Sequence, residues 1–153
     1  IGLDEDSIGR LIGLNGLLIA LTEMPLIYFV ENRFKKWHIV SIGTLLIGIS
    51  YLLFNLFGPV FGAAFGCMIL ITIGEMLSLP FMATIALDFT NERNRGRYMA
   101  MFTMMYSLSH IIAPNFGLQT AGHLGFPTLW WLLMGFCVLV FLGFRQIAAA
   151  RGR

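Results

Sequence analysis

Charge is what this sequence has least of. Only 12% of its 153 residues are Asp, Glu, Lys or Arg, where an ordinary soluble domain carries about 25%. A water-soluble fold of this size must cover itself with polar groups, and a chain that is 58% hydrophobic cannot do so. Cysteine is scarce too. Cys67 and Cys137 both sit in apolar runs, at a spacing that suits neither a metal site nor a disulfide framework, so they read as small buried hydrophobes. No basic stripe with interleaved aromatics is present, which argues against nucleic acid as a partner. No basic segment precedes a short apolar one at the start, so no signal peptide is evident; the chain opens on Ile1 and an acidic cluster, Asp4, Glu5 and Asp6. Hydrolytic motifs are missing as well: there is no His-Glu-x-x-His and no Gly-x-Ser-x-Gly. Gly48-Ile49-Ser50-Tyr51 lacks the second glycine of a rhomboid-type nucleophile. Ser107 and His110 share a helix face without an orienting acid or an oxyanion donor. The sequence therefore reads as a non-enzyme with no cofactor and no metal.

What is present is long and apolar, with a mean hydropathy of +0.80. Lipid is the solvent that accepts such a chain, and it requires every backbone polar group to be satisfied internally. The apolar runs are continuous instead of alternating, which selects helices over a barrel. A spanning helix takes about 20 apolar residues at a rise of 1.5 Å each. Five segments qualify, at 7–30, 39–57, 61–87, 98–120 and 128–144. The second closes at Gly58-Pro59 and a Gly-rich turn, Ala121 to Pro127, precedes the fifth. The expected fold class is an all-α, polytopic helical bundle.

The basic residues give it a direction. With loops alternating sides, one side holds Arg33, Lys35 and Lys36 in loop 31–38, Arg93, Arg95 and Arg97 in loop 88–97, and Arg145, Arg151 and Arg153 in tail 145–153. The other side holds only Arg10. Basic residues resist translocation, so the crowded side is expected to be the cytoplasm, with the C-terminus inside and the N-terminus of the chain outside. Trp37, Trp130 and Trp131 fall near span ends, as interfacial anchors do. Gly9-x-x-x-Gly13 and Gly62-x-x-x-Gly66 offer small faces for close helix approach. An odd number of spans and a first residue other than Met lead us to expect a piece of a larger bundle. No repeat is visible within the five spans, as in one half of a two-fold repeated protein.

Polar groups inside spans are costly, on the order of 2.5–3.5 kcal/mol each when charged, and so mark function. Glu23, Glu75, His110 and Asn115 stand out. Glu75 and His110 fall near the bilayer midplane on consecutive antiparallel helices, with Glu23 nearer the cytoplasm and Asn115 nearer the outside. Glu75, Ser78 and Met82 share one face of the third span; Thr103, Ser107, His110, Pro114 and Gly117 form a small, polar stripe on the fourth. A water-filled cavity between the two would explain both stripes. Desolvation penalises the ionised form of a carboxyl group, bringing its proton exchange towards physiological pH. Glu75 is then the candidate proton or cation site, His110 its relay or partner, Glu23 a second site, and Asn115, Ser78 and Ser107 candidate substrate contacts. Against this stands a bland reading, in which Glu75 stays protonated and bonds a neighbouring helix. In the same reading Glu23 satisfies backbone near Pro25, whose ring frees the carbonyl of Leu21, and His110 and Asn115 are hydrogen-bonded core. Pro25, Pro80 and Pro114 lie inside spans and predict kinks.

These residues resemble the C-terminal half of the major facilitator superfamily of transporters. Pro25 followed by Glu31-Asn32-Arg33-Phe34-Lys35-Lys36 is similar to the degenerate second copy of the family's Gly-x-x-x-Asp-Arg-x-Gly-Arg loop. Gly74-Glu75-Met76-Leu77-Ser78-Leu79-Pro80 resembles the tenth family span. Arg95-Gly96-Arg97-Tyr98-Met99-Ala100 and Ala113-Pro114-Asn115-Phe116-Gly117 resemble the eleventh. The loop departs from the pattern, with Tyr28 for the first Gly, Asn32 for Asp and Lys35 for the second Gly; Arg33 matches, and Glu31 is placed to replace the lost acid. The alternative is that Arg33, Lys35 and Lys36 only fix topology. The resemblance implies secondary active transport of a small molecule by alternating access, closest to proton-coupled exporters of the bacterial inner membrane. The partners it implies are protons, the substrate, the bilayer and an N-terminal half. It also places the first, third and fourth spans at family positions eight, ten and eleven, on or beside the central cavity. An uncoupled facilitator and a non-transporting receptor or assembly module remain as alternatives.

Overall fold

The computed structural model describes residues 5–58 and 61–151. Ile1, Asp4, Pro59 and Arg153, named above, lie outside the described residues. Five helices account for nearly all of the rest: α1 (Glu5–Glu31), α2 (Lys36–Phe57), α3 (Phe61–Asp88), α4 (Arg95–Leu124) and α5 (Phe126–Arg151). They overrun the segments expected from hydropathy because helical hydrogen bonding does not stop where lipid stops. Arg95, Gly96 and Arg97 begin α4, and Ala148 to Ala150, good helix formers, prolong α5.

The helix ends are made by few residues. The N–H groups of Arg33 and Phe34 both reach Val30 O at 3.1 Å, closing α1. Lys35 is extended (φ −68°, ψ 137°) and launches α2. The Gly-rich turn expected over Ala121 to Pro127 contracts to one residue, Gly125, at φ +83°. Its N–H closes α4 on Ala121 O at 3.1 Å, while its carbonyl accepts Leu129 N–H at 3.3 Å and opens α5. Only glycine takes that left-handed φ without strain. Pro127 sits in the first turn of α5, where its missing N–H leaves no helical bond unmade.

α2 is the centre of the bundle, packed along α3 on one side and α5 on the other, with α1 against α3 and α4 set more thinly on α3 and α5. The closest crossing is glycine on glycine. A Cβ on Gly43 would lie 2.7 Å from Gly74 O, and one on Gly74 would lie 2.7 Å from Gly43 O. Gly48 approaches α5 similarly, its Cβ position 2.9 Å from Cys137 Cβ. Gly9, Gly13, Gly62 and Gly66, the pairs singled out by spacing, meet nothing within 4 Å among the described residues. Spacing shows which face of a helix is small; it does not show whether a neighbour faces it. Beyond the glycine crossing, Ile39, Val40, Leu77, Phe81 and Ile85 form the buried core, covered by Trp37 and Phe144.

Among the described residues, four helices carry stretches long and apolar enough to cross a membrane: Ile12–Glu31, Lys36–Phe57, Gly62–Asp88 and Phe126–Ala149. α4 is the departure from the expected five. Its 30 residues are ample in length, but Arg95, Arg97, Ser107, Ser109, His110, Asn115 and His123 lower its hydropathy. At the end of the bundle where α2 starts and α3 stops, Lys36 Nζ donates to both oxygens of Asp88 at 2.9 and 3.0 Å. Loops 32–35 and 89–94 are therefore neighbours on one side.

Candidate functional site

At the other end of α2 and α3 lies a cavity of about 270 Å³ that reaches down to the middle of α3. One residue of α1, Asn15, borders it, with Tyr51 and Phe54 from α2 and Trp130 from the start of α5. The remaining wall is α3: Ala64, Cys67, Met68, Ile71, Thr72 and Glu75. Among the described residues Glu75 is the one acid on the wall and no basic residue lines it, and Glu75 is exposed instead of packed away. Tyr51 lies within electrostatic reach of Glu75.

The aromatic side of the cavity is a fixed block. Tyr51 stacks on Trp130 with centroids 5.8 Å apart and planes at 18°, and Phe54 meets the same indole edge-on at 5.1 Å. Phe126 stacks on Trp130 from the adjoining turn at 6.4 Å. Such ring pairs prefer these offset and edge-on arrangements, which hold each other's orientation. The polar side is a bridge from α1 to α3: the Thr72 hydroxyl meets the Asn15 amide and also donates to Met68 O at 2.8 Å. A hydroxyl has one proton, so with that proton on Met68 O the pair is satisfied when the amide turns its N–H towards Thr72 Oγ1. Cys67 donates to Ser50 O at 3.3 Å, tying α3 to α2 beside the cavity.

The candidates named from the sequence fall in different places. Glu75 lines the cavity. Ser78, expected on the same face, is instead buried against Gly43 of α2, with its Oγ free of a hydrogen bond among the described residues. Ser107 and His110 are exposed on α4, and no residue of α4 borders the cavity that Glu75 lines. The single cavity expected between the third and fourth spans is thus not what this structure holds. His110 packs edge-on against Tyr106 at 4.5 Å. Asn115 turns its amide back onto Ile111 O at 2.8 Å, one turn up its own helix. Glu23 is half-buried on α1 and away from the cavity wall; beside it, Thr22 donates to Leu18 O at 2.6 Å and touches Met76 Sδ at 3.6 Å.

In the loops, Arg33 lays its guanidinium over the Phe29 ring at 4.1 Å, and Asn32 bonds Tyr28 O at 3.0 Å. Glu31 and Lys35 are exposed, as are Arg93 on the far loop and Arg97 in the first turn of α4. The acid that pairs with this basic loop is Asp88, not Glu31. Arg95 borders a hollow shared with Asp88, Asn91 and Glu92, so both basic loops converge on one acidic turn. Sequence reasoning missed Asn15, Tyr51 and Thr72 and took Trp130 for an anchor alone. Asn15 had a legible signal, an amide within an apolar run like that of Asn115; the rings had none, since aromatics at span ends are ordinary.

Apolar helices of spanning length, packed around a cavity that holds one acid, define a polytopic membrane protein. Its family follows from comparison: residues 1–151 match the Major Facilitator Superfamily, and the chain belongs to that superfamily of membrane transporters. It is 27% identical over 135 residues to a Na(+), Li(+), K(+)/H(+) antiporter of Planococcus maritimus, covering 88% of this chain and 31% of that protein. It is 31% identical over 119 residues to YttB, an uncharacterized MFS-type transporter of Bacillus subtilis (strain 168), covering 75% of this chain and 29% of that protein. The chain thus spans about a third of the length of these relatives. No solved structure matches it.

Proposed function

We propose that this chain forms part of a proton-coupled secondary transporter of a bacterial inner membrane, which exchanges protons against an outgoing cation at Glu75. One observation carries the reading: a carboxyl group, midway along a spanning helix, opens into a cavity with no basic partner among the described residues. A carboxyl so placed holds a proton or a cation but not both, and that mutual exclusion is the minimal device for antiport. The likeness to an antiporter of alkali cations and protons supports it.

The basic loops set the orientation in this reading, with the Lys36–Asp88 end cytoplasmic and the cavity in the outer half. Glu23 and His110 lie off the cavity wall and take no part in the exchange at Glu75. The test is a pH jump across liposomes bearing the full-length transporter. Wild type couples cation movement to the proton gradient, and Glu75→Gln, unable to release a proton, loses the coupled flux. Coupled flux that persists in Glu75→Gln removes this residue from the mechanism.

A further inference from the structure

α1 is gripped unevenly along its length. None of its described side chains is buried, and the half-buried ones begin only at Asn15. C-terminal to Pro25, Leu26, Ile27 and Val30 pack on the buried core of α2 and α3. N-terminal to it, Leu14, Leu17, Leu21 and Met24 are more than half exposed. Gly9, Gly13 and Gly16 meet nothing within 4 Å among the described residues. The polar contacts that hold this stretch to α3 are the Asn15–Thr72 bond and the Thr22 hydroxyl, 3.6 Å from Met76 Sδ. The two stretches meet where the helix is weakest. Pro25 has no N–H for Leu21 O, and Thr22 turns its hydroxyl back onto Leu18 O at 2.6 Å, a bond that bends helices. Asn15 and Thr72 both border the cavity of Glu75, so the joint between α1 and α3 is also part of its wall.

We propose that α1 N-terminal to Pro25 is a flap on this cavity, hinged at Leu21 to Pro25 and latched by the Asn15–Thr72 bond. Asn15 precedes Pro25 by ten residues, about 15 Å at the helical rise, so a bend of about 20° at the hinge carries it about 5 Å. That displacement breaks the bond and parts the wall between α1 and α3, one turn along from Glu75. The latch is weak enough to open repeatedly, since one bond between membrane helices shifts a balance by only about threefold. The glycines of the outer end have no neighbour to leave. α2, α3 and α5 stay behind as the frame, joined at the close approaches of Gly43 to Gly74 and of Gly48 to Cys137. This rests on the reading of Glu75 as the exchange site, because a flap matters only where the cavity is used.

The test uses the full-length transporter in liposomes, with Asn15→Cys and Thr72→Cys combined and joined by a short, reducible bis-thiol crosslinker. Tying the flap lowers proton-linked cation flux by about tenfold or more beyond the reagent's effect on either single-cysteine variant, as a locked lid does. Reduction of the linker restores the flux. Thr72→Val loosens the latch instead, and its readout needs no flux: alkylation of Cys67 on the cavity wall, followed by mass spectrometry, quickens about threefold. Pro25→Ala, which gives Leu21 O its helical bond back, slows the same alkylation. Undiminished flux through the tied pair overturns the flap, and so does Cys67 alkylation at one rate in wild type, Thr72→Val and Pro25→Ala. Should the cysteine pair carry no flux before the reagent is added, the alkylation rates decide alone. Coupled flux that persists in Glu75→Gln is a separate result, the failure of the exchange reading, and it leaves the alkylation rates as the measure of the flap.

Discussion

Asn15 and Thr72 show how little a single polar pair contributes in lipid and how much it specifies. Hydrogen bonds between membrane helices are worth about 0.6 kcal/mol on average, because the separated helices also find partners. Thr72→Val should therefore lower stability by only about 0.5–1 kcal/mol, seen as a small shift in the unfolding midpoint in detergent. A loss of several kcal/mol would mean that the bridge from α1 to α3 holds far more than one bond. Lys36 and Asp88 pose the same question at the water interface, where their side chains stay 31% and 47% exposed. Exposed ion pairs contribute less than about 1 kcal/mol and weaken with salt. A double-mutant cycle with Lys36→Ala and Asp88→Ala should give a coupling within that limit.

Helix crossings depend on a different property, the absence of a side chain. Gly43 and Gly74 allow α2 and α3 to meet backbone to backbone, and a methyl group on either would sit against a carbonyl oxygen that cannot yield. Overpacking of a close contact costs about 1–3 kcal/mol, so Gly74→Ala should destabilise the bundle by that order in detergent unfolding. Gly62→Ala, with open space around it, should be neutral or slightly stabilising, since alanine favours helix. Equal effects at the two positions would show that the crossing is placed wrongly. α4 illustrates the converse. Its polar stripe was legible in the sequence, yet the partners expected for that stripe were not, because Ser107 and His110 face outward and Asn115 bonds its own helix.

Across the whole molecule, five helices occupy the five apolar runs, although α4 falls short of the hydropathy of a span. The Lys36–Asp88 pair brings the two basic loops to one end, and the cavity lies at the other. Single cysteines introduced as Lys36→Cys and Arg95→Cys should react with a membrane-impermeant thiol reagent from the same side, the cytoplasmic one. Labelling from opposite faces would undo the topology and the transport reading with it. The sequence led to Glu75, a carboxyl in an apolar run, without revealing its company, since Tyr51 and Trp130 are brought together from different helices.

Hydropathy and the placement of lysine and arginine determined, by themselves, that this chain is helical, that it belongs in lipid and which loops share a side. These are properties of each segment against its solvent, and a linear sequence records them directly. Only the tertiary structure decided which glycines cross, that Asp88 instead of Glu31 answers the basic loop, and that Glu75 shares its cavity with aromatic rings instead of His110. Lipid is as apolar as leucine, so a helix that is apolar on all sides carries no mark of the face it turns inward. Its rotation is set by packing against neighbours, and neighbours exist only once the bundle has formed.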